Sequence, residues 1–255
     1  MSFKDHFSGH AADYASFRPG YPPELFDFVA ALPRRHGTAW DCGTGSGQAA
    51  VGLATRFERF ERFDRVIATD PSARQIEHAE PHPRVEYRVA PAEESGLPDA
   101  SVDLVTVAQA FHWFDFDRFF AEVRRVLAPG GAVALWSYNL ARVTPEVDAW
   151  TDGLARETVG PYWPAERRWV DEEYRTIPFP FPEVEAPVFH LEESWSLERY
   201  LLYIRTWSAF QLYRKATGRD PIEESRSRIE AAWGDPEQVR TISWPTFLRA
   251  SRPIG

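Results

Sequence analysis

Apolar residues recur along this chain in two alternating rhythms. Leu25, Phe28, Val29 and Leu32 fall at i, i+3, i+4 and i+7, after Tyr21-Pro22-Pro23 and before Pro33. That spacing predicts a helix with one apolar face, opened and stopped by proline. Ala50, Leu53, Ala54 and Phe57 predict a second helix, and Ser72 with Gln75 predicts the capping box of a third. A fourth covers 116–127, with Phe116, Phe119, Phe120, Val123 and Leu127 in register before Pro129-Gly130-Gly131. Short apolar runs at about 38–42, 66–69, 84–90, 102–107 and 132–137 separate these helices and read as strands. Strands alternating with helices predict an α/β fold, a mostly parallel sheet with helices on both faces.

Beyond Ser137 the rhythm changes. Thr144-Pro145 caps a helix carrying Val147, Trp150 and Leu154, and 160–187 is rich in proline and aromatic residues. Residues 140–182 read as a helical cap inserted over the strand ends, within a single domain spanning 1–255. A sixth strand is expected near 184–191. Ser196 opens a helix with Leu197, Tyr200, Leu201, Ile204 and Trp207 inward, and another helix covers 221–233. A last strand lies within 239–251, where Pro245 requires either a later start or a bulge. Residues 57–65 repeat one Phe-acid-Arg triplet three times. A period of three drifts around a helix, so the repeat reads as a helix extension or surface loop, the alternative being a protein contact through its phenylalanines.

The chemistry concentrates in Ala39-Trp40-Asp41-Cys42-Gly43-Thr44-Gly45-Ser46-Gly47. An apolar approach ends in an acid, and three glycines then alternate before a helix. Glycines allow positive φ and close approach of the backbone to a ligand, and the helix start offers free N–H groups to an anion. Read from Gly45, the run also matches a nicotinamide-type G-x-G-x-x-A fingerprint. Asp70 ends the second strand, 23 residues after Gly47. In a doubly wound sheet that position faces a nucleoside ribose; the alternative is a turn cap, since Pro71 and Ser72 follow.

The D-x-G-x-G-x-G pattern at 41–47 resembles motif I of class I S-adenosylmethionine-dependent methyltransferases. Ala92-Glu93 with Leu97-Pro98 and Asp103 resembles a later block of the same family, and Gln109-Ala110-Phe111-His112-Trp113 occupies the end of the fourth strand. Tyr14, Arg18-Pro19 and Tyr21-Pro22 are similar to the N-terminal lid, here 1–22, of its trans-aconitate-type small-molecule members, often grouped as type 11. The resemblance implies a Rossmann-like seven-stranded sheet. It implies S-adenosyl-L-methionine held by Asp41, Gly43, Thr44, Gly45, Gly47, Asp70, Pro71, Ala92, Glu93, Gln109 and Arg18. Pro91 stands where many relatives have an acid, which moves the adenine contact to the Ala92 and Glu93 backbone. Tyr14, Tyr21, Trp113, Tyr138 and Trp207 are the implied substrate pocket, with Trp136, Asn139 and Arg205 nearby. His112 is the general-base candidate, because imidazole titrates near neutrality. The implied reaction is methyl transfer to a small organic acceptor, a carboxylate or a hydroxyl. A cofactor-binding protein without turnover, and a nicotinamide oxidoreductase, are the alternatives.

Charge and composition narrow this further. With 29 basic and 38 acidic residues the net charge is −9, and no basic run suggests nucleic acid as a partner. The other six histidines, His6, His10, His36, His78, His82 and His190, lack metal-ligand spacing, so no metal is expected. Cys42 is the single cysteine, so no disulfide forms within the chain. No run reaches the roughly 18 apolar residues of a membrane span. A cytoplasmic monomer or homodimer is expected.

Overall fold

A computed structural model describes residues 19–55 and 63–254. Tyr14, Arg18 and the greater part of both the expected lid and the triplet repeat lie outside the described residues.

Five parallel strands form the centre. β1 (Thr38–Cys42) lies between β2 (Arg65–Asp70) and β4 (Val102–Ala108). β3 (Val85–Val89) extends the sheet beyond β2, and β5 (Leu127–Tyr138) extends it beyond β4. The order β3-β2-β1-β4-β5 therefore reverses direction between β1 and β4, which opens a crevice at the carboxyl ends of these strands.

The far edge is antiparallel. β8 (Arg240–Ser251) pairs with β5 through Thr246–Ala250, with β6 (Glu183–Val184) at its end, and with β7 (His190–Trp195) through Arg240–Pro245. The sheet has eight strands, not the expected seven. The single strand expected at 184–191 is divided because Pro187 offers no N–H to a ladder. Pro245 is accommodated inside β8, where the strand leaves β7 and joins β5. There the Thr246 backbone N–H and hydroxyl both donate to the Phe189 carbonyl, at 2.8 and 3.0 Å.

Local signals account for most of the helices. α1 (Pro23–Ala30) begins on proline, and α2 (Gln48–Thr55) follows the glycine loop. Ser72 caps α3 (Ala73–Glu77) by accepting from the Gln75 N–H, one half of the expected capping box, while its own N–H donates to Asp70. Asp115 caps α4 (Phe116–Val126). The Pro129-Gly130-Gly131 stop holds, but β5 begins at once and bulges, so that Leu127 pairs Val102 and Ala132 pairs Leu104. Thr144 caps α5 (Pro145–Gly153), α6 (Arg167–Asp171) is a short turn, and α7 (Leu197–Arg205) follows Ser196 without a side-chain cap. Trp207 lies beyond α7, at the start of α8 (Ser208–Thr217), which the apolar spacing did not reveal. α9 (Arg226–Trp233) starts later than the expected 221, after one 3-10 turn.

Three apolar clusters result. α1 and α2 cover one face of the sheet, with Trp136 and Ala39 beneath them. α4 covers the other, where Phe111, Phe119 and Phe120 interlock with Tyr174, Ile177 and Phe181. The third cluster joins α5 to β7, α7, α8 and α9 through Trp150, Tyr200, Tyr203, Trp207 and Trp244. Residues 140–182 thus divide: the first part belongs to this third cluster, while Val170 to Phe181 pack beside α4.

Candidate functional site

β1 delivers Asp41 to the crevice with no exposed surface. One carboxylate oxygen accepts from the Thr44 hydroxyl at 2.6 Å and the other from the Thr106 hydroxyl at 2.8 Å. Burial, with Asp70 nearby, pushes its pKa up to about 6 despite those hydrogen bonds. Asp41 therefore braces the loop from beneath. The loop is fixed from a second side, because the Gly43 and Thr44 N–H groups both donate to the Thr69 carbonyl, at 2.8 and 2.9 Å.

All three loop glycines have positive φ, 70° at Gly43, 55° at Gly45 and 85° at Gly47. Their surroundings differ. A Cβ on Gly43 would lie 2.6 Å from that of Ala110, and one on Gly47 would lie 2.2 Å from the Tyr87 hydroxyl. A Cβ on Gly45 would meet nothing within 4 Å, so there the backbone faces open space.

Asp70 arrives from β2, 8 % exposed. One oxygen accepts from the Gly45 N–H at 3.0 Å and the other from the Ser72 N–H at 2.9 Å. It is thus a turn cap and a loop clamp in one. Pro71 follows it. Ala92 is buried after β3, and the Glu93 carboxylate accepts from the Asp115 N–H at 2.8 Å, tying this segment to the start of α4.

At the end of β4, Gln109 has φ 57°, unusual for a residue other than glycine. Its amide nitrogen donates to the Tyr138 carbonyl at 3.4 Å, and its side-chain oxygen accepts from the Ser137 hydroxyl at 2.6 Å. Phe111 is buried and anchors the turn, so His112 and Trp113 are presented on its other side, ring centroids 4.9 Å apart. His112 Nδ1 lies 2.9 Å from the Tyr174 hydroxyl. Burial first, and then the positive charge of Arg167, lower the His112 pKa to about 3, so the ring is neutral near pH 7.

These residues open onto a cavity that is continuous with solvent. Gln109, His112, Trp113, Tyr138 and Asn139 line it. Trp163, Arg167, Tyr203, Trp207 and Ser208 also line it. The Arg167 guanidinium lies 4.6 Å from the centre of the Trp163 ring. It donates to Asn139 and, at 2.9 Å, to Asp171.

Four of the expected positions, His112, Trp113, Tyr138 and Trp207, meet in this cavity, and Gln109 joins them. Tyr21 does not: its ring packs edge-on against Trp136 at 5.7 Å, outside the cavity lining. Trp136 is likewise core, with no exposed surface. Arg205 pairs with Asp220 and Glu223. Pro19 is tied to the glycine-loop helix, since the Gln48 side chain donates to its carbonyl at 3.0 Å. Trp163, Arg167, Tyr174 and Tyr203 were missed by sequence reasoning. The only signal for the first three was the aromatic and proline richness of 160–187. Among the described residues no helix is long and apolar enough to cross a membrane.

A glycine loop at the sheet's switch point, an acid at the end of the next strand and a cavity beyond them define a Rossmann-like nucleotide-binding enzyme. Comparison with known proteins sharpens this. Residues 40–135 match the methyltransferase domain family model. A Dictyostelium discoideum protein described as a methyltransferase is 35 % identical over 98 % of this chain and 95 % of its own length. A solved structure from Anaeromyxobacter dehalogenans, described as a type II methyltransferase, is 50 % identical, with a TM-score of 0.85 over 93 % of this chain and 99 % of that one. A Bacillus halodurans structure, also described as a methyltransferase, shares the fold at 20 % identity, with a TM-score of 0.52 over 91 % of this chain and 99 % of that one. The chain belongs to the class I S-adenosylmethionine-dependent methyltransferases, and S-adenosyl-L-methionine is its cofactor.

Proposed function

We propose that this enzyme methylates a small organic anion on a carboxylate or hydroxyl oxygen, in the cavity between His112 and Arg167. The observation that carries this reading is Arg167 itself. Its guanidinium is stacked on Trp163 and held by Asn139 and Asp171 at the cavity wall. Its Nη1 has no partner among the described residues. A guanidinium fixed in this way recognises a carboxylate or similar anion by charge-assisted hydrogen bonds.

The chain's residues fit the cofactor. The open space at Gly45 is a cradle that a Cβ would begin to fill. In this reading Gly43, Thr44, Gly45 and Gly47 hold the methionyl part, with Gln109 beside it. Asp70, followed by Pro71, accepts from the ribose hydroxyls. The backbone of Ala92 and Glu93 meets the adenine. Asp41 and Asp70 together supply negative charge behind a cationic ligand. When bound, the cofactor supplies an activated methyl group on a sulfonium. Trp113 offers a ring face to that positive charge, worth about 1–2 kcal/mol when desolvated. Tyr138, Trp207, Trp163 and Tyr203 exclude water and align the acceptor, which is the protein's main contribution to an in-line displacement.

The test is methyl transfer measured as S-adenosylhomocysteine release over a panel of small acids and their neutral amides. The reading expects turnover with acids and little with amides. Turnover confined to neutral acceptors would refute the anion site, and cofactor binding with no turnover on any acceptor would favour the non-catalytic alternative.

A further inference from the structure

Two hydrogen bonds fix which way round the Asn139 amide sits. Its Oδ1 accepts from the Leu140 N–H at 3.0 Å and from Arg167 Nη2. Both partners can only donate, so the atom between them must be the amide oxygen. A flipped amide would set its N–H2 against two donors and lose both bonds. The Asn139 N–H2 therefore lies on the other side of the amide, where it has no partner among the described residues. It also keeps open surface. Among those residues the Trp136 indole nitrogen is the one side-chain polar atom that is both buried and unpartnered.

The amide nitrogen shares its carbon with the oxygen that Arg167 holds, so it stands next to the guanidinium. Both residues line the cavity. Arg167 commits Nε to Asp171 and Nη2 to Asn139, which leaves Nη1 without a partner among the described residues. Side by side, the two residues offer free N–H groups, while the one acceptor between them is already engaged. A carboxylate, which only accepts and carries two oxygens, matches such a pair. A carboxamide has one oxygen, and its own N–H2 would face a donor.

The rest of the lining limits the charge. Among the described lining residues Arg167 is the one Lys or Arg, and there is no Asp or Glu. Trp113, Leu140, Trp163, Val170 and Trp207 supply apolar surface instead. A second carboxylate set against these side chains would give up hydration with no cation opposite it.

We propose that Asn139 is a specificity-determining residue of the acceptor site, its N–H2 acting with the Arg167 guanidinium to select a single carboxylate carried on an apolar body. This rests on the reading that Arg167 recognises the anionic group of the acceptor. Asn139 has two roles on two atoms: Oδ1 holds Arg167, and the N–H2 reads the ligand. Asn139→Asp separates them. It keeps an oxygen facing Leu140 and Arg167 and replaces only the N–H2, by an anionic oxygen.

The experiment is calorimetric titration of phenylacetate, phenylacetamide and citrate into protein saturated with S-adenosylhomocysteine. The wild type, Asn139→Asp and Arg167→Met are compared. The wild type should bind phenylacetate at least about tenfold more tightly than the amide or citrate. In Asn139→Asp the affinity for phenylacetate should fall at least about tenfold. Phenylacetamide, whose N–H2 can donate to the new oxygen, should bind as well as before or better. The thermal midpoint and the S-adenosylhomocysteine affinity of this variant should match or exceed the wild type, which a damaged fold would not allow. Arg167→Met should lose phenylacetate too. That loss beside undiminished phenylacetate binding in Asn139→Asp would overturn the role of Asn139 and leave the anion site standing. No phenylacetate binding to the wild type, or no effect of either variant, would overturn both readings. Citrate bound more tightly than phenylacetate by the wild type would overturn the ligand class, and that comparison needs no variant.

Discussion

The two walls of the site are built by different means. The glycine-loop side, from Asp41 to Asp70, is shaped by backbone: positive φ at three glycines, paired N–H bonds to the Thr69 carbonyl, and a carboxylate clamp on Gly45. The far side is shaped by long side chains, Trp163, Arg167, Tyr203 and Trp207, of which only Trp207 was expected in a pocket from the sequence. Backbone constraints dictate residue type at fixed spacing; side-chain walls require only that something large arrives from somewhere. The glycine-loop side therefore announces itself in a linear sequence, whereas much of the far side appears only after folding.

Substitutions at the loop glycines sharpen this contrast most. Gly43→Ala forces both a left-handed alanine and a 2.6 Å clash with Ala110, and is expected to cost about 2–4 kcal/mol in stability. Gly45→Ala carries the same backbone cost without the clash, so it should lose only about 1–2 kcal/mol. It should nevertheless weaken S-adenosylhomocysteine at least about tenfold, because its methyl enters the cradle. Chemical denaturation and calorimetric titration separate the two. Equal effects of both variants on both measurements would break the account of the loop.

Acid titration probes the two walls against each other. The folded Asp41 pKa, about 6, lies above its ordinary 3.8, so its contribution is present below that value and lost as pH rises through 6. The folded His112 pKa, about 3, lies below its ordinary 6.5, so its contribution is present above 6.5 and lost as pH falls toward 3. At pH 4 each amounts to about 3 kcal/mol, with opposite signs. Stability of the wild type should change little from these two groups between pH 6.5 and 4. Asp41→Asn should lose stability over that window and His112→Gln should gain it, as read by urea denaturation at each pH.

On the acceptor side, Arg167→Met should raise KM for an acidic substrate by about 30-fold, the worth of roughly 2 kcal/mol for a charge-assisted contact. The same change in S-adenosylhomocysteine affinity would show that the walls are not separable. Smallest of all, Arg205→Gln removes ion pairs to Asp220 and Glu223 away from the cavity lining, and should cost under about 1 kcal/mol with kinetics unchanged.

Much of the fold was legible because it obeys local rules. The five parallel strands, the Ser72 cap, the Thr144 cap and the Pro129-Gly130-Gly131 stop each follow from residue type and spacing. What escaped depends on distant partners. The expected sixth strand became β6 and β7 because β8 is long enough to serve both, and Pro245 fits where β8 passes from β7 to β5. α8 went unseen because the apolar run of α7 ends in a turn at Thr206-Trp207 before a second helix begins. Within the site, His112 and Trp113 were legible from their place at a strand end. Tyr174 was not, since it meets His112 across 62 positions of chain through two residues of positive φ. Tyr21, an aromatic expected in the pocket, packs edge-on against Trp136.

The most direct test of the two-walled site is calorimetric titration of S-adenosylhomocysteine into the wild type, Asp70→Ala and Arg167→Met. The account predicts micromolar-range binding to the wild type, a loss of about tenfold or more in Asp70→Ala, and unchanged affinity in Arg167→Met. Unaltered binding in Asp70→Ala, or a matching loss in Arg167→Met, would contradict it.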